Sequence, residues 1–179
     1  MQRVVVHGAS TGTQGLLQML IMSLLDLQVG CYEPDETLVD VAGLTALSQI
    51  CHNTFVKVTP KVLKAADVLI LTDTGTPADE GFVATNITAI RKVLNSAMAA
   101  GFKGRIIVAM THDELFTYFA QRFSGLNKRQ VVGLGTFGSR AVGGSRRSSD
   151  CLCGRNQSDA GSGLEPSLCR RHAGVAPTG

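Results

Sequence analysis

The feature that most constrains this chain is a regular alternation, from its start to about residue 135, of short apolar runs with segments of helical periodicity. The short runs have five or six residues and lie at 3–7, 29–33, 54–59, 67–72, 105–110 and 130–134. Helical patterns lie between them at 13–27, 36–49, 86–100 and 113–123. Parallel strands need such crossovers, whereas antiparallel strands can be joined by tight turns. The alternation therefore predicts βαβ units and a parallel sheet covered by helices.

Six strands in two βαβαβ halves make an α/β fold with a doubly wound parallel sheet in three layers, the Rossmann type, in which a nucleotide lies across the carboxyl ends of the strands. An apolar content of 44% with 17% charged residues is that of a core-forming domain. The net charge of +3 gives no electrostatic reason to expect a nucleic-acid partner. No secretory signal pattern opens the chain, and no apolar run reaches the roughly 20 residues that span a bilayer. We therefore expect a cytoplasmic protein with reduced cysteines and no membrane partner.

The chain changes character near Arg140. The following 39 residues contain no Phe, Tyr, Ile, Met or Lys, but seven glycines, six serines, five arginines and three of the five cysteines. Such a segment has no run that could bury a strand or one face of a helix. We therefore predict a nucleotide-binding domain at 1–140 and a poorly structured Gly/Ser/Arg/Cys-rich tail at 141–179.

Three interpretations of this tail stay open at the level of sequence. The abrupt change of composition favours a shifted reading frame, which resequencing the coding DNA and translating its other frames would test. Cys151, Cys153, Cys169 and His172 could instead bind zinc, but the first pair lacks the usual spacing, so we expect no metal site. The third interpretation, an arginine-rich arm that binds nucleic acid, has the least support, because the tail lacks aromatic residues and a lysine-rich face.

The first predicted strand is followed by a turn rich in small residues, Gly-Ala-Ser-Thr-Gly-Thr-Gln-Gly at 8–15. Such a turn lets the backbone approach a pyrophosphate, and the helix behind it points its free N–H groups and positive dipole end at the phosphates. The spacing departs from the strict GxGxxG fingerprint because Ser10 stands at the second glycine position. A purely structural glycine turn is the alternative. The residues expected to bind the pyrophosphate are Gly8, Thr11, Gly12, Thr13 and Gly15.

Glu33 ends the second predicted strand, 21 residues after Gly12. In dinucleotide-binding domains an acidic residue about 20 residues beyond the glycine turn accepts hydrogen bonds from the adenosine ribose. A carboxylate at this position also repels a 2′-phosphate. Glu33 therefore favours NAD over NADP, the alternative being a solvated carboxylate at a strand end.

The segment from 66 to 135 resembles the NAD-dependent L-lactate/malate dehydrogenases. The resemblance rests on the strand 66–72 with Gly75, the helix and turn at 86–104, Thr117-Tyr118, the segment 123–126, and the strand 131–136. These matches cover about 70 residues in order, and with the glycine turn and Glu33 they extend over 3–136. Only the cofactor-binding half of the family is matched.

The resemblance implies NAD as the cofactor, and hydride transfer between NAD and a 2-hydroxy acid as the family reaction. It implies that Thr72 and Gly75 lie along the cofactor and that Thr111 lies near the nicotinamide. The family's catalytic residues do not carry over: the loop at 76–85 contains no arginine, the segment 137–140 keeps only Ser139 and Arg140, and the catalytic histidine segment does not occur. We therefore assign no catalytic residue.

His112 and Asp113 follow the fifth predicted strand, at the edge where the cofactor is expected. They could form a local acid–base pair, but adjacent residues in a turn seldom face each other, so a polar turn with Asp113 capping the next helix is favoured.

The predicted function is a truncated, lactate/malate dehydrogenase-like NAD-binding protein with weak or no activity on a small 2-hydroxy or 2-oxo acid. The alternative is a non-catalytic nucleotide-binding or interaction module. Helix faces made apolar for a missing second domain would be exposed, which favours a homo-oligomer.

Overall fold

The computed structural model describes residues 1–135. Its strands are β1 (Gln2–Ala9), β2 (Leu27–Tyr32), β3 (Thr54–Val58), β4 (Val68–Thr74), β5 (Arg105–Ala109) and β6 (Val131–Gly133). Its helices are α1 (Thr11–Met22), α2 (Val41–Ile50), α3 (Pro60–Leu63), α4 (Phe82–Ala100) and α5 (Asp113–Ser124). The six predicted strands and four predicted helices are all present. The short α3 is an addition that the sequence pattern does not predict.

The strands form a sheet in the order β3-β2-β1-β4-β5-β6, with every neighbouring pair parallel. The order runs outward from β1 on one side and from β4 on the other, so the two halves of the chain meet between these strands. This is the doubly wound order of dinucleotide-binding domains, and the predicted fold class is confirmed. A ligand of such a sheet lies outside the carboxyl ends of the strands at the reversal, here β1 and β4.

Helices cover both faces of the sheet over two separate apolar clusters, as a three-layer fold requires. On one face α4 and α5 bury Leu94 and Phe116 in a cluster that includes Val5 of β1. On the other face α1 buries Ile21 in a cluster that includes Val6. Successive side chains of a strand point to opposite faces, so Val5 and Val6 belong to different cores. Burial on both faces explains why the strands appear in the sequence as unbroken apolar runs.

The first helix ends five residues before the predicted end at 27. It stops at Met22, and Leu24 and Leu25, which lie within the predicted range, are exposed. The buried side chain of Asn53 accounts for this end. Its Nδ2 lies 2.9–3.2 Å from the carbonyl oxygens of residues 20, 21 and 23, and its Oδ1 accepts the amide of Leu27 at 2.8 Å. Asn53, just before β3, thus binds both the last carbonyls of α1 and the first amide of β2.

The second helix begins five residues after the predicted start at 36. Asp40 is its N-cap, and its carboxylate accepts the amide of Gly43 at 2.8 Å. A Cβ at Gly43 would collide with this carboxylate. The glycine that weakens the helical pattern in the sequence therefore makes room for the helix cap.

No helix in the described part of the chain is long and apolar enough to cross a membrane. Residues 1–135 also contain no group of three or more side chains that could hold a metal ion. The tail predicted at 141–179, with its reading-frame, zinc and nucleic-acid interpretations, lies outside the described residues, as do Ser139 and Arg140.

Candidate functional site

The residues predicted to hold a dinucleotide come from four distant parts of the chain and lie mostly at the carboxyl edge of the sheet. The glycine turn follows β1, Glu33 follows β2, Gly75 follows β4, and Thr111 follows β5. Gly15 lies further along, inside α1. Because parallel strands end at the same edge and the strand order reverses between β1 and β4, this edge holds the crevice of the fold.

The start of α1 has two backbone amides free to bind an anion. Ser10 is the N-cap, and its hydroxyl accepts the amide of Thr13 at 3.3 Å. The amides of Thr11 and Gly12 donate to no acceptor within residues 1–135, and both residues are exposed. They lie at the positive end of the helix dipole, where the first amides lack intrahelical partners. This position suits a phosphate group.

Three hydroxyl groups tie the same turn to β4. Thr72 Oγ1 donates to the carbonyl of His7 at 3.1 Å and lies 2.8 Å from Thr13 Oγ1. Ser10 Oγ lies 3.0 Å from Thr13 Oγ1. Since each hydroxyl has one proton, Thr13 donates to Thr72 and Ser10 donates to Thr13. The predicted cofactor residues Thr13 and Thr72 are thus buried side chains that hold the turn in position.

β1 and β4 pair irregularly beside this turn. His7 pairs with Leu71, but the next pair is Ala9 with Thr74. One residue of β1 therefore opposes two of β4, which is a β-bulge, and bulges redirect the side chains beside them. Asp73 is one of the two residues at the bulge, so the bulge gives the end of β4 a carboxylate at the edge of the sheet.

The three glycines of the turn differ in what surrounds them. Gly8 has a φ of 155°, and a Cβ there would collide with the Thr72 hydroxyl and lie 2.8 Å from the Thr72 carbonyl oxygen. A Cβ at Gly12 would make only an ordinary contact of 3.6 Å, and one at Gly15 would meet nothing within 4 Å. Gly8 is therefore required by the close approach of β1 and β4. Gly12 and Gly15 are not required by the packing of the described residues.

Asp73 joins the ends of β4 and β5. Thr111 Oγ1 donates to Asp73 Oδ2 at 2.6 Å, and the amide of Thr111 lies 3.2 Å from both carboxylate oxygens. The predicted nicotinamide contact is thus already bound to a carboxylate. Gly75, with a φ of 81°, turns the chain away after β4. Asp73 was not predicted from the sequence, because its partner Thr111 follows a different strand, 38 residues later.

Asn86 attaches the end of β4 to the first turn of α4. It is buried, its Nδ2 donates to the carbonyls of Thr74 and Phe82 at 3.0 and 2.9 Å, and its Oδ1 accepts the amide of Thr74 at 2.8 Å. The sequence marks this residue only through the family resemblance. Its contacts join the end of β4 to α4, which starts at Phe82, four residues before the predicted start.

Glu33 directly follows β2 and has a φ of 45°, which is uncommon for a residue other than glycine. Its Oε2 lies 2.9 Å from Nζ of Lys92 on α4. The hydrogen bond from Lys92 is the largest cause that lowers the pKa of Glu33, and the same contact raises the pKa of Lys92. Both groups are therefore charged at neutral pH. Lys92 was not predicted as a site residue, because helical periodicity marks it as exposed but does not identify the carboxylate that it meets.

His112 and Asp113 do not form an acid–base pair. The His112 ring packs against Phe82 and Phe116, with ring centroids 6.3 and 6.4 Å apart. The Asp113 carboxylate is buried and accepts the amide of Gly135 beyond β6. The predicted cap is wrong, because Asp113 is the first residue of α5 and its carboxylate serves the loop after β6.

His7 is a second titratable side chain beside the glycine turn. Its Nδ1 lies 3.2 Å from the carbonyl oxygen of Tyr32, which can only accept, so Nδ1 carries the proton. Its buried Nε2 has no hydrogen-bond partner within residues 1–135. Burial lowers the pKa of His7 and is the largest effect on it. The hydrogen bond to Tyr32 and the negative charge of Glu33 raise this pKa in part, whereas the positive charge of Lys92 lowers it further. The folded protein therefore holds His7 neutral.

We expect the free energy of unfolding to fall as the pH drops below about 6.5, the ordinary histidine pKa. The unfolded chain binds the His7 proton more readily than the folded one, so the stabilisation is present above that pH and is lost below it. Urea unfolding between about pH 7.5 and about pH 5 measures the slope. The His7→Asn variant, which keeps a donor for Tyr32, should flatten this dependence of stability on pH. An equal slope in His7→Asn and wild type would contradict the assignment.

No family model matches this chain. Curated L-lactate dehydrogenases are similar to parts of it. The enzyme of Geobacillus kaustophilus (strain HTA426) is 41% identical over 51 residues, and that of Limosilactobacillus fermentum is 35% identical over 78 residues. The matches cover 28% and 41% of this chain but only 16% and 24% of those relatives. This chain thus matches less than a quarter of the length of either relative.

Two solved structures extend the likeness over most of the described fold. The minor L-lactate dehydrogenase from Enterococcus mundtii, in a ligand-bound form, has a TM-score of 0.63 and 24% identity over 75% of this chain and 46% of its own. The lactate dehydrogenase from Cryptosporidium parvum, complexed with lactic acid and nicotinamide adenine dinucleotide, has a TM-score of 0.60 and 14% identity over 74% and 44%. At these identities the likeness is one of fold alone. With the local sequence matches, it follows that this chain is homologous to the N-terminal portion of the L-lactate dehydrogenases, their NAD-binding half.

Proposed function

We propose that residues 1–140 form a domain that binds NAD(H) at the carboxyl edge of its sheet, in a cytoplasmic, lactate/malate dehydrogenase-like protein with weak or no catalytic activity. The observation that carries the proposal is the start of α1, where the amides of Thr11 and Gly12 are free beside the reversal of strand order. A helix start in this position binds the pyrophosphate of a dinucleotide.

The residues along the carboxyl edge of the sheet suit the pyrophosphate, the adenosine ribose and the nicotinamide of the cofactor. Gly12 has no side chain to obstruct the pyrophosphate, and the Ser10, Thr13 and Thr72 hydroxyls keep the turn rigid. On the β2 side, Glu33 would accept hydrogen bonds from the adenosine ribose. On the β5 side, Thr111 would lie beside the nicotinamide, with Gly75 along the cofactor between them. When bound, NAD supplies the hydride acceptor of the family reaction.

Catalysis needs more than the cofactor. Hydride transfer to a 2-oxo acid requires a proton donor and a cation for the substrate carboxylate. Within residues 1–135 the side chains of His112 and Asp113 point to different partners, so they supply no acid–base pair. We therefore expect NAD(H) to bind with little or no turnover of lactate, malate or longer 2-hydroxy acids.

A non-catalytic interaction module is the second candidate function. Large apolar side chains are exposed at the ends of the neighbouring helices α1 and α2 and just after α1: Met19, Met22, Leu24, Leu25 and Ile50. Exposed apolar surface of this kind marks interaction sites, and a second copy of the chain is the partner that we propose. A folded chain that self-associates without binding NADH would favour this function over the first.

Titration with NADH, read by the fluorescence of the nucleotide, tests the first proposal. The chain has no tryptophan, so protein emission interferes little. We expect saturable binding by the wild type. In the Gly12→Asp variant the binding should weaken by at least about tenfold, because a carboxylate would face the pyrophosphate.

The matched control is the Gln49→Glu variant, which adds the same charge at an exposed position near the end of α2. It should bind NADH like the wild type. An acidic residue in the first turn of a helix is favourable, so Gly12→Asp should remain folded, as circular dichroism can verify. Absence of binding by a folded wild-type chain, or equal affinity in Gly12→Asp, would overturn the proposed function.

A further inference from the structure

Lys92 brings a positive charge to the position expected to recognise the adenosine ribose. It lies on α4, which covers the opposite face of the sheet from α1. From there its Nζ reaches past the end of β2 to within 2.9 Å of Glu33 Oε2. The carboxylate at the ribose position is therefore one half of an ion pair.

The other charges near this strand end have partners of their own. Lys57 Nζ lies 2.6 Å from Glu36 Oε1, and the carboxylate of Asp35 accepts the amide and hydroxyl of Thr37 at 3.0 and 2.6 Å. Within the described part of the chain, Lys92 is thus the cation in direct contact with Glu33.

An acidic side chain alone at this position selects a free 2′-hydroxyl, whereas a nearby arginine accommodates a 2′-phosphate. A lysine ammonium group also binds phosphate, as a point charge. The two side chains are exposed, 69% for Lys92 and 44% for Glu33. Exposed ion pairs are held weakly, so this one can open for a ligand. Once it opens, the carboxylate can accept hydrogen bonds from ribose hydroxyls, and the ammonium group can contact a phosphate.

We propose that Lys92 determines cofactor specificity, so that the site accepts NADP(H) as well as NAD(H). Glu33 recognises the 2′-hydroxyl of one dinucleotide, and Lys92 recognises the 2′-phosphate of the other. The inference rests on the proposed function, and it replaces the preference for NAD that Glu33 alone would give.

The test is the ratio of the dissociation constants for NADPH and NADH, measured by fluorescence titration of the full chain. In the wild type the two constants should lie within about threefold of each other. The Lys92→Met variant keeps the aliphatic stem but loses the charge, so the ratio should rise by at least about tenfold as the 2′-phosphate meets Glu33 alone. The Glu33→Gln variant should shift the ratio in the opposite direction.

The matched control is the Lys103→Met variant, which removes the same charge at an exposed position on the amino edge of the sheet. Its ratio should equal that of the wild type. A wild type that prefers NADH by more than about tenfold, an unchanged ratio in Lys92→Met, or an equal change in Lys103→Met would overturn the role of Lys92 while leaving NADH binding intact. Absence of binding of either dinucleotide by a folded chain would overturn the proposed function and this inference together.

Discussion

Replacing Gly8 by alanine is expected to lower the free energy of unfolding by about 3–5 kcal/mol. The new methyl group would collide with the Thr72 hydroxyl and lie 2.8 Å from the Thr72 carbonyl oxygen, both on β4. Neither atom can move freely, because the hydroxyl bonds Thr13 and His7, and the carbonyl is part of the strand. The φ of 155° adds strain for any residue with a side chain.

Urea unfolding of the Gly8→Ala variant measures this loss, and the Gly15→Ala variant is its control. Gly15 lies inside α1 with nothing within 4 Å of an added Cβ. Alanine there should raise the free energy of unfolding by about 0.5–1 kcal/mol, because glycine is unfavourable inside a helix. We expect the free energy of unfolding to change in opposite directions in the two variants. A Gly8→Ala variant as stable as the wild type would contradict the close approach of β1 and β4.

The Asn53→Ala variant is expected to lose about 3 kcal/mol of stability. The substitution leaves the amide of Leu27 without its acceptor and the carbonyls of residues 20, 21 and 23 without their donor. Asn53 is only 1% exposed, so water cannot readily replace these bonds.

Thermal or urea unfolding compares this variant with Asn95→Ala, the same substitution at an exposed position of α4. Asn95→Ala should be neutral or slightly stabilising, because alanine has the higher helix propensity. A loss in Asn53→Ala no larger than the change in Asn95→Ala would show that Asn53 does not hold the end of α1.

The sequence predicted the parallel sheet and the fold class well, because both depend on the periodicity of the apolar residues. Strands buried on both faces are unbroken apolar runs, and the helices between them leave a parallel sheet as the solution. The same regularity does not determine where helices end. Leu24 and Leu25 continue the apolar pattern of α1, but the helix stops at Met22 because Asn53, some 30 residues later, binds its last carbonyls.

The candidate site divides in the same way. The glycine turn and Glu33 are recognisable because each directly follows a strand of the first βαβ unit. The structural role of each residue, however, cannot be recognised from the sequence of that unit. Gly8 is required by β4, and Thr13 hydrogen-bonds Thr72 across the interior, although β4 is about 60 residues away in sequence.

By itself, the sequence determined the doubly wound fold, the edge of the sheet at which a ligand would lie, and the relation to the cofactor half of a dehydrogenase family. It could do so because secondary-structure periodicity and the turn after β1 are local properties of the chain. Only the tertiary structure decided that Lys92 pairs with Glu33, that Asp73 binds Thr111, and that Asp113 serves the loop after β6. Each of these contacts joins groups that are more than 20 residues apart in the chain. Their meeting depends on a bulge, a helix position or a strand register that no local pattern encodes.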